Sequence, residues 1–114
     1  MMPDFSKTRI YLRPGHTDMR KAVNGLTTIV QENMGKDPFN ENLYIFCNRE
    51  RKLLKAVYWD KNGFWLSQKR LEKEKYPWPE TTEAARELST EELTMLLRGI
   101  DFFKAHKPVF YNKV

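Results

Sequence analysis

The amino-acid sequence predicts an α+β domain, in which an antiparallel β meander carries an amphipathic helix on one face and a second, C-terminal helix at an edge. Three observations lead to this fold class. Residues 43–71 contain three successive runs rich in aromatic and β-branched residues, LYIFC, LLKAVYW and FWLSQKRL. Residues 15–35 have apolar side chains at helical spacing, and a capping signal precedes a second helical pattern near residue 90. Because strands that follow one another closely usually pair as neighbours, we expect a meander.

A short first strand and a long first helix are predicted before the meander. The strand is TRIYLRPG, which alternates apolar and polar residues and ends in a Pro-Gly turn signal. Thr17 or Asp18 is placed to cap the helix, and Gly35 marks its end. Gly25 lies inside the pattern and indicates either the close approach of another backbone or simple tolerance. The apolar stripe of this helix consists of Met19, Ala22, Val23, Leu26, Ile29, Val30 and Met34.

The last two runs of the meander are separated by Asn62-Gly63, a dipeptide typical of two-residue hairpin turns. With that turn, Lys55 faces Arg70 across the strands, and with a three-residue loop it faces Lys69 instead. Directly opposed like charges destabilise a sheet, so such a pair suggests a role other than folding. A merely solvated charged face explains the same residues equally well.

The second helix is predicted to begin at Thr90. Ser89 and Glu92 form a capping box, and the leucines that follow recur at helical spacing. We expect residues 1–101 to form a single α+β domain. Residues 102–114 are basic and aromatic without a clear period, and we expect a tail that orders against a partner.

Positive charge is concentrated in one part of the chain. The net charge is +5, and residues 49–75 carry nine basic against four acidic side chains, which accounts for all of it. Charge of this sign favours anionic partners. Arg20 and Lys21 also lie at a predicted helix N-terminus, where cations are unfavourable, so they too are candidates for an anionic partner, with plain solvation as the alternative. The predicted nucleic-acid-binding residues are Arg20, Lys21, Arg49, Arg51, Lys52, Lys55, Lys69, Arg70 and Lys73.

The sequence contains no recognisable catalytic or metal-binding motif. Cys47 is the single cysteine, and the two histidines, His16 and His106, lie at opposite ends of the chain. Phosphate loops, nucleophile elbows and dinucleotide fingerprints are missing. We therefore expect no catalytic residue, no metal, no cofactor and no small-molecule substrate. Without an apolar span or signal peptide in the sequence, we expect a cytoplasmic protein with no membrane partner.

Three separated motifs carry a family resemblance. GHTDMRKAVNGL, WDKNGFWLSQKRLEKEKYPWP and LLRGID resemble, in order and spacing, the TnpB-type accessory proteins of bacterial insertion sequences of the IS-sixty-six family. The resemblance runs from about Arg9 to Asp101, and the chain departs from it at Glu74 and Tyr76, where glycine and phenylalanine are usual. The characteristic positions fall on Gly15, Thr17, Asp18, Met19, Arg20, Lys21, Gly25, Leu26, Asp60, Gly63, Leu66, Lys69, Arg70, Leu71, Glu72, Trp78, Pro79, Leu96, Leu97, Gly99, Ile100 and Asp101.

The resemblance implies a non-catalytic, auxiliary role in transposition beside a separate transposase, which carries the acidic catalytic site. Two hypotheses follow. In the first, the protein binds DNA through the basic hairpin surface. In the second, it is a protein-interaction module that docks onto the transposase of the same element without contacting DNA. A steep dependence of affinity on salt would distinguish phosphate contacts from an apolar protein interface.

Overall fold

The computed structural model describes residues 8–105 of the chain and confirms the α+β class. The strands and helices in chain order are β1 (Ile10–Leu12), α1 (Val23–Glu32), β2 (Leu43–Cys47), β3 (Leu53–Asp60), β4 (Gly63–Arg70), β5 (Arg86–Leu88), α2 (Thr90–Leu97) and α3 (Phe102–Ala105).

The strands form one five-stranded sheet in the order β4-β3-β2-β1-β5. Strands β2, β3 and β4 make the predicted antiparallel meander, and β5 runs antiparallel to β1. Strand β1, however, pairs parallel with β2, with Ile10 opposite Leu43. A parallel pair needs a crossover connection, and α1 lies in the segment that supplies it. The expectation of a purely antiparallel meander is therefore corrected to a mixed sheet.

Both faces of the sheet are covered, and we name them after the helices that cover them. On the α1 face, Leu26 and Val30 of α1 pack against Tyr44 and Phe46 of β2. On the α2 face, Leu96 packs with Ile45 and with side chains of the segment 71–79. All five residues of β2 are buried because this central strand contacts both layers. Helix α2 thus lies on a face rather than at the predicted edge.

Helix α1 begins five residues later than the predicted cap at Asp18. The side chain of Lys55 on β3 donates hydrogen bonds to the backbone carbonyls of Met19 and Lys21. Those carbonyls accept from a side chain, which keeps the segment before Val23 in a non-helical loop. Asp18 closes a turn there, because its carboxylate accepts from the backbone N–H of Arg20.

The β3–β4 hairpin turns at Lys61-Asn62, one residue before the predicted dipeptide. Asp60 pairs with Gly63, and Lys61 adopts a left-handed φ of 57°. This register sets Trp59 opposite Phe64, with ring centroids 4.9 Å apart, and cross-strand aromatic pairs of this kind stabilise a sheet.

The observed register overturns the predicted like-charge pair. Lys55 lies opposite Gln68, so the expectation that it faces Arg70 or Lys69 is wrong. Lys55 and Lys69 instead lie on opposite faces of the sheet, since Lys69 is paired with Leu54.

The predicted start of the second helix at Thr90 is confirmed, with the capping box between Ser89 and Glu92 in place. After Asp101, α3 follows, and its Phe102 is buried in the core of the α2 face. Residues 106–114 of the predicted tail lie outside the described residues. Across residues 8–105, no helix has the length and apolar character that crossing a membrane requires.

Candidate nucleic-acid interface

An open cleft of about 1110 Å³ lies on the α1 side of the molecule. Its walls are the segment 13–21, the exposed side of α1 and the turn 48–50 between β2 and β3. The cationic side chains that line it are Arg13, Arg20, Lys21 and Arg49. Asp18, Glu32 and Glu50 also line it, so the cleft has mixed charge with a basic excess.

Lys55 holds one wall of this cleft in place. The residue is only 9% exposed, and its ammonium donates to the carbonyl oxygens of Met19 at 2.7 Å and Lys21 at 3.0 Å. A buried ammonium needs such partners, because an unpaired charge in the interior is very costly. Because its ammonium is buried against these two carbonyls, Lys55 positions the loop rather than facing solvent, whereas the side chains of Arg20 and Lys21 are exposed.

Asp18 and Arg20 form an ion pair at the rim of the cleft. The Arg20 guanidinium lies 2.7 Å from the Asp18 carboxylate, and the Arg20 side chain remains 91% exposed. Hydrogen bonds from the Arg20 side chain and backbone hold the pKa of Asp18 well below its usual range. An exposed pair of this kind adds little to stability, so breaking it would cost the fold little.

The same segment 13–21 contributes two further residues that the sequence interpretation did not assign to a site, Arg13 and His16. Arg13 donates to the Thr17 hydroxyl at 3.0 Å, and the backbone N–H of the buried Thr17 donates to the Cys47 carbonyl at 2.8 Å. The Nε2 atom of His16 lies 3.4 Å from the Arg49 guanidinium. The Pro-Gly turn between Arg13 and His16 was the available signal, because a chain reversal brings its flanking residues together.

Arg49 reaches the cleft from a tight turn. The side chain of Asn48 accepts hydrogen bonds from the backbone N–H groups of Lys52 and Leu53, and Arg51 adopts a left-handed φ of 64°. These constraints place Arg49 at the exposed tip of the turn.

Gly25 of α1 is explained by a neighbouring side chain. A Cβ atom at this position would lie 3.0 Å from the Cβ of Lys21, which is tighter than most Cβ contacts in proteins. The close approach is therefore that of the Lys21 side chain rather than of another backbone.

The remaining predicted residues are distributed over the molecule. Arg70 is exposed and shares the α1 face with its partner Leu53, whereas Lys69 on the α2 face donates to the Leu97 carbonyl at the end of α2. Lys52 donates to the Glu72 carbonyl, and Arg51 forms an ion pair with Glu80.

Lys73 is exposed in the segment after β4. The structure thus brings Arg20, Lys21 and Arg49 to one cleft but does not gather all nine predicted residues on one surface.

Within residues 8–105, no group of three or more acidic, histidine or cysteine side chains is arranged to hold a metal ion.

Comparison with known protein families shows to which family the chain belongs. Residues 8–107 match the family described as IS66 Orf2-like proteins. The chain belongs to this family. Membership indicates an accessory protein of an insertion sequence, and the family is not a known enzyme class.

Two similar proteins come from Sinorhizobium fredii (strain NBRC 101917 / NGR234). The uncharacterised protein y4hO is 36% identical over 102 residues, covering 90% of this chain and 89% of the relative. The uncharacterised protein y4jC is 32% identical over 102 residues, covering 89% of this chain and 87% of the relative. No solved structure matches the chain.

Several residues of the three motifs join the motif segments to one another. The backbone N–H of Gly15 donates to the Pro79 carbonyl at 2.9 Å, which links the first motif to the second. The ammonium of Lys69 donates to the Leu97 carbonyl at 2.8 Å, which links the second to the third. At the departure from the family pattern, the Tyr76 hydroxyl donates to the Lys69 carbonyl, a bond that phenylalanine could not make.

Proposed function

We propose that this IS66 Orf2-like protein is a non-catalytic factor that holds DNA during transposition by contacting its phosphates through Arg20, Lys21, Arg49 and the neighbouring Arg70. One observation carries the proposal. Basic side chains from two distant segments, 20–21 and the turn at 49, converge on one open cleft while remaining exposed. Because phosphate contacts position a protein without reading bases, we expect binding with little sequence preference.

The sheet extends this surface towards Arg70. Arg70 pairs with Leu53 of β3. Lys55 lies two residues from Leu53 on the same face of the sheet, which is roughly 7 Å along the strand. Since the Lys55 ammonium contacts the Lys21 carbonyl, the loop at Lys21 covers the face on which Arg70 stands. A duplex in contact with the cleft can therefore reach both.

A charge-matched pair of variants tests the proposal. In the first, Arg20, Lys21 and Arg49 are changed to glutamine. In the second, the exposed residues Lys61, Lys73 and Lys75 are changed to glutamine, which removes the same charge elsewhere. Affinity for a labelled DNA duplex is measured by fluorescence anisotropy at low salt.

The cleft variant is expected to bind about tenfold more weakly or worse, because each phosphate that it no longer neutralises keeps its counterions, while the control variant is affected much less. Equal effects in the two variants would show that only net charge matters, and the cleft would lose its assigned role.

A second candidate function is docking onto the separate transposase without contact to DNA. It is favoured by an apolar groove on the α2 face, lined by side chains such as Leu93, Leu97 and Trp65. Wild-type protein without affinity for DNA at low salt would favour this candidate over the first.

A further inference from the structure

Strand β4 is an edge of the sheet and presents backbone groups for another strand. Within the described residues, β4 pairs only with β3. The N–H of Leu71 donates to the Lys52 carbonyl, which continues the β3–β4 ladder past the end of β4. Because hydrogen-bonded pairs alternate along an antiparallel ladder, the odd-numbered residues of β4 bond to β3. The N–H and C=O groups of Phe64, Leu66, Gln68 and Arg70 therefore point away from the sheet.

An apolar groove of about 390 Å³ lies beside this edge, on the α2 face. Its floor has a gap because two small residues, Ala56 and Ser67, stand opposite each other in the register. The flanking pairs are large, with Leu54 opposite Lys69. Helix α2 forms one wall through its residues Leu93 and Leu97, and the β4 residues Trp65, Ser67 and Lys69 also line the groove.

Hydrogen bonds hold the two ends of the groove. The indole N–H of Trp65 donates to the Asp60 carboxylate at 3.2 Å, and Lys69 donates to the Leu97 carbonyl at 2.8 Å. Trp65 and Lys69 are four residues apart on one face of β4, a span of roughly 13 Å. Trp65 is nonetheless 42% exposed, so a large aromatic surface stands beside the gap at Ser67.

The charge around this edge is positive. Lys61 stands beside Asp60 at one end of β4, and the exposed side chains of Lys69 and Lys73 stand beside Glu72 at the other, so basic side chains outnumber acidic ones by three to two. A segment that lies along β4 with acidic residues near its ends would complement Lys61 at one end and Lys69 and Lys73 at the other.

We propose that β4 accepts an extended acidic and apolar segment of a partner protein as a sixth strand. The backbone of the partner segment forms hydrogen bonds with the outward N–H and C=O groups of β4. One apolar side chain of the segment fills the gap over Ser67, and its carboxylates face the basic residues at either end of β4. Strand addition of this kind combines backbone hydrogen bonds for affinity with side-chain pockets for specificity. The groove lies on the α2 face, so the segment would not compete with a ligand bound at Arg20, Lys21 and Arg49 on the α1 side.

A second copy of the chain suits this edge less well. In antiparallel pairing across β4, Lys61 of one copy would lie beside residues 69–73 of the other, which include Lys69, Arg70 and Lys73 against one acidic residue, Glu72. In parallel pairing, each basic residue of β4 would stand near the same residue of the second copy. Opposed like charges destabilise both arrangements.

A synthetic peptide tests the proposal in the full-length protein. The probe is a fluorescein-labelled peptide of alternating threonine and valine with one central leucine and a glutamate at each end. A second probe carries lysine in place of both glutamates. We expect the acidic probe to bind and the basic probe to bind about tenfold more weakly or worse.

Two variants separate the backbone from the pocket. Gln68→Pro removes an outward N–H while leaving the bonds to β3, and its matched control Gln68→Thr keeps that N–H. Ser67→Leu fills the gap from within. We expect Gln68→Pro and Ser67→Leu each to weaken binding of the acidic probe by about tenfold or more, with Gln68→Thr near wild type. An unfolding free energy of Ser67→Leu equal to or above that of wild type would show that it remains folded with the gap filled.

Three results would overturn the proposal. The first is wild-type protein that binds neither probe at concentrations up to about 1 mM. The second is undiminished binding by Gln68→Pro. The third is self-association of the wild type that Gln68→Pro abolishes, which would assign the edge to a second copy. The variant with Arg20, Lys21 and Arg49 changed to glutamine is expected to bind the acidic probe as the wild type does. Failure of the DNA-binding proposal would therefore leave the proposal for β4 intact, and failure of the proposal for β4 would leave DNA binding intact.

Discussion

Lys55 shows how a basic residue in a charged segment becomes structural. Its neighbours in sequence suggest a solvent-facing strand, yet the register turns its side chain towards the α1 face and the loop before α1. There the ammonium satisfies two carbonyls that a helix beginning at Asp18 would have used for itself. The same contact therefore sets the start of α1 and shapes the cleft.

Replacing Lys55 by methionine should destabilise the protein. The variant keeps most of the side-chain volume but leaves the carbonyls of Met19 and Lys21 without their donor, at a cost of about 1–3 kcal/mol in the free energy of unfolding. Urea denaturation measures this cost. The control is Lys73→Met at an exposed position, for which we expect a change within about 0.5 kcal/mol.

Equal stability of the Lys55 variant and wild type would mean that the loop does not depend on this ammonium. If Lys55 instead faced another basic residue across the strands, its removal would raise the free energy of unfolding, because opposed like charges destabilise a sheet. The structure predicts the opposite sign.

Two buried groups should make stability fall in alkali. Burial raises the pKa of the Cys47 thiol to about 12 and that of the Tyr76 hydroxyl to about 12. In the unfolded chain both lose their protons at lower pH, so above about pH 9 the unfolded state binds fewer protons and stability decreases as pH rises.

Urea denaturation between about pH 8 and pH 11 tests this reasoning. We expect the decrease in wild type to be steeper than in Tyr76→Phe, and steeper than in Cys47→Ala, because each variant removes one group that ionises on unfolding. Parallel pH profiles in all three proteins would contradict the assignment.

Among the elements, those with local signals were predictable. Strand β2 matches the apolar run LYIFC residue for residue, and α2 begins where its capping box indicates. Strand β5 was missed because its three residues carry no alternation of their own and are held by pairing with β1. The parallel pairing of β1 with β2 has no local signal either. The start of α1 was misplaced because it depends on Lys55, more than thirty residues away in sequence.

The capping box gives a prediction for α2. The Ser89 hydroxyl accepts from the backbone N–H of Glu92, and the Glu92 carboxylate accepts from that of Ser89. Ser89→Ala removes one of these bonds and should lower the free energy of unfolding by about 1 kcal/mol. Thr90→Ala, one residue further on and also exposed, is the control and should cost clearly less. Comparable costs in the two variants would contradict the role of the cap.

On the scale of the whole molecule, the sheet separates two surfaces with different chemistry. The α1 side carries the open cleft with Arg20, Lys21 and Arg49, whereas the α2 side carries the apolar groove beside the β4 edge. We assign the two hypotheses drawn from the sequence, contact with DNA and docking of a protein, to these two separate surfaces. An accessory factor with both could hold DNA and a partner protein together.

The candidate site was predictable only in part. A basic segment from 49 to 75 was visible in the sequence. Its strands direct successive side chains to opposite faces of the sheet, so the basic residues of this segment do not lie on one surface. Arg20 and Lys21 were identified from their place near a helix start. Their convergence with Arg49 depends on the crossover between β1 and β2, which sequence patterns do not reveal.

The salt dependence of DNA binding tests the central claim most directly. Fluorescence anisotropy with a short duplex, repeated across a salt series, gives the slope of log affinity against log salt for the wild type and for the variant with Arg20, Lys21 and Arg49 changed to glutamine. We predict a steep negative slope for the wild type, flattened in the variant by about 0.9 for each phosphate that it no longer neutralises, or roughly 2–3 in all. Wild-type protein that does not bind DNA at low salt, or a variant whose slope equals that of the wild type, would contradict the account.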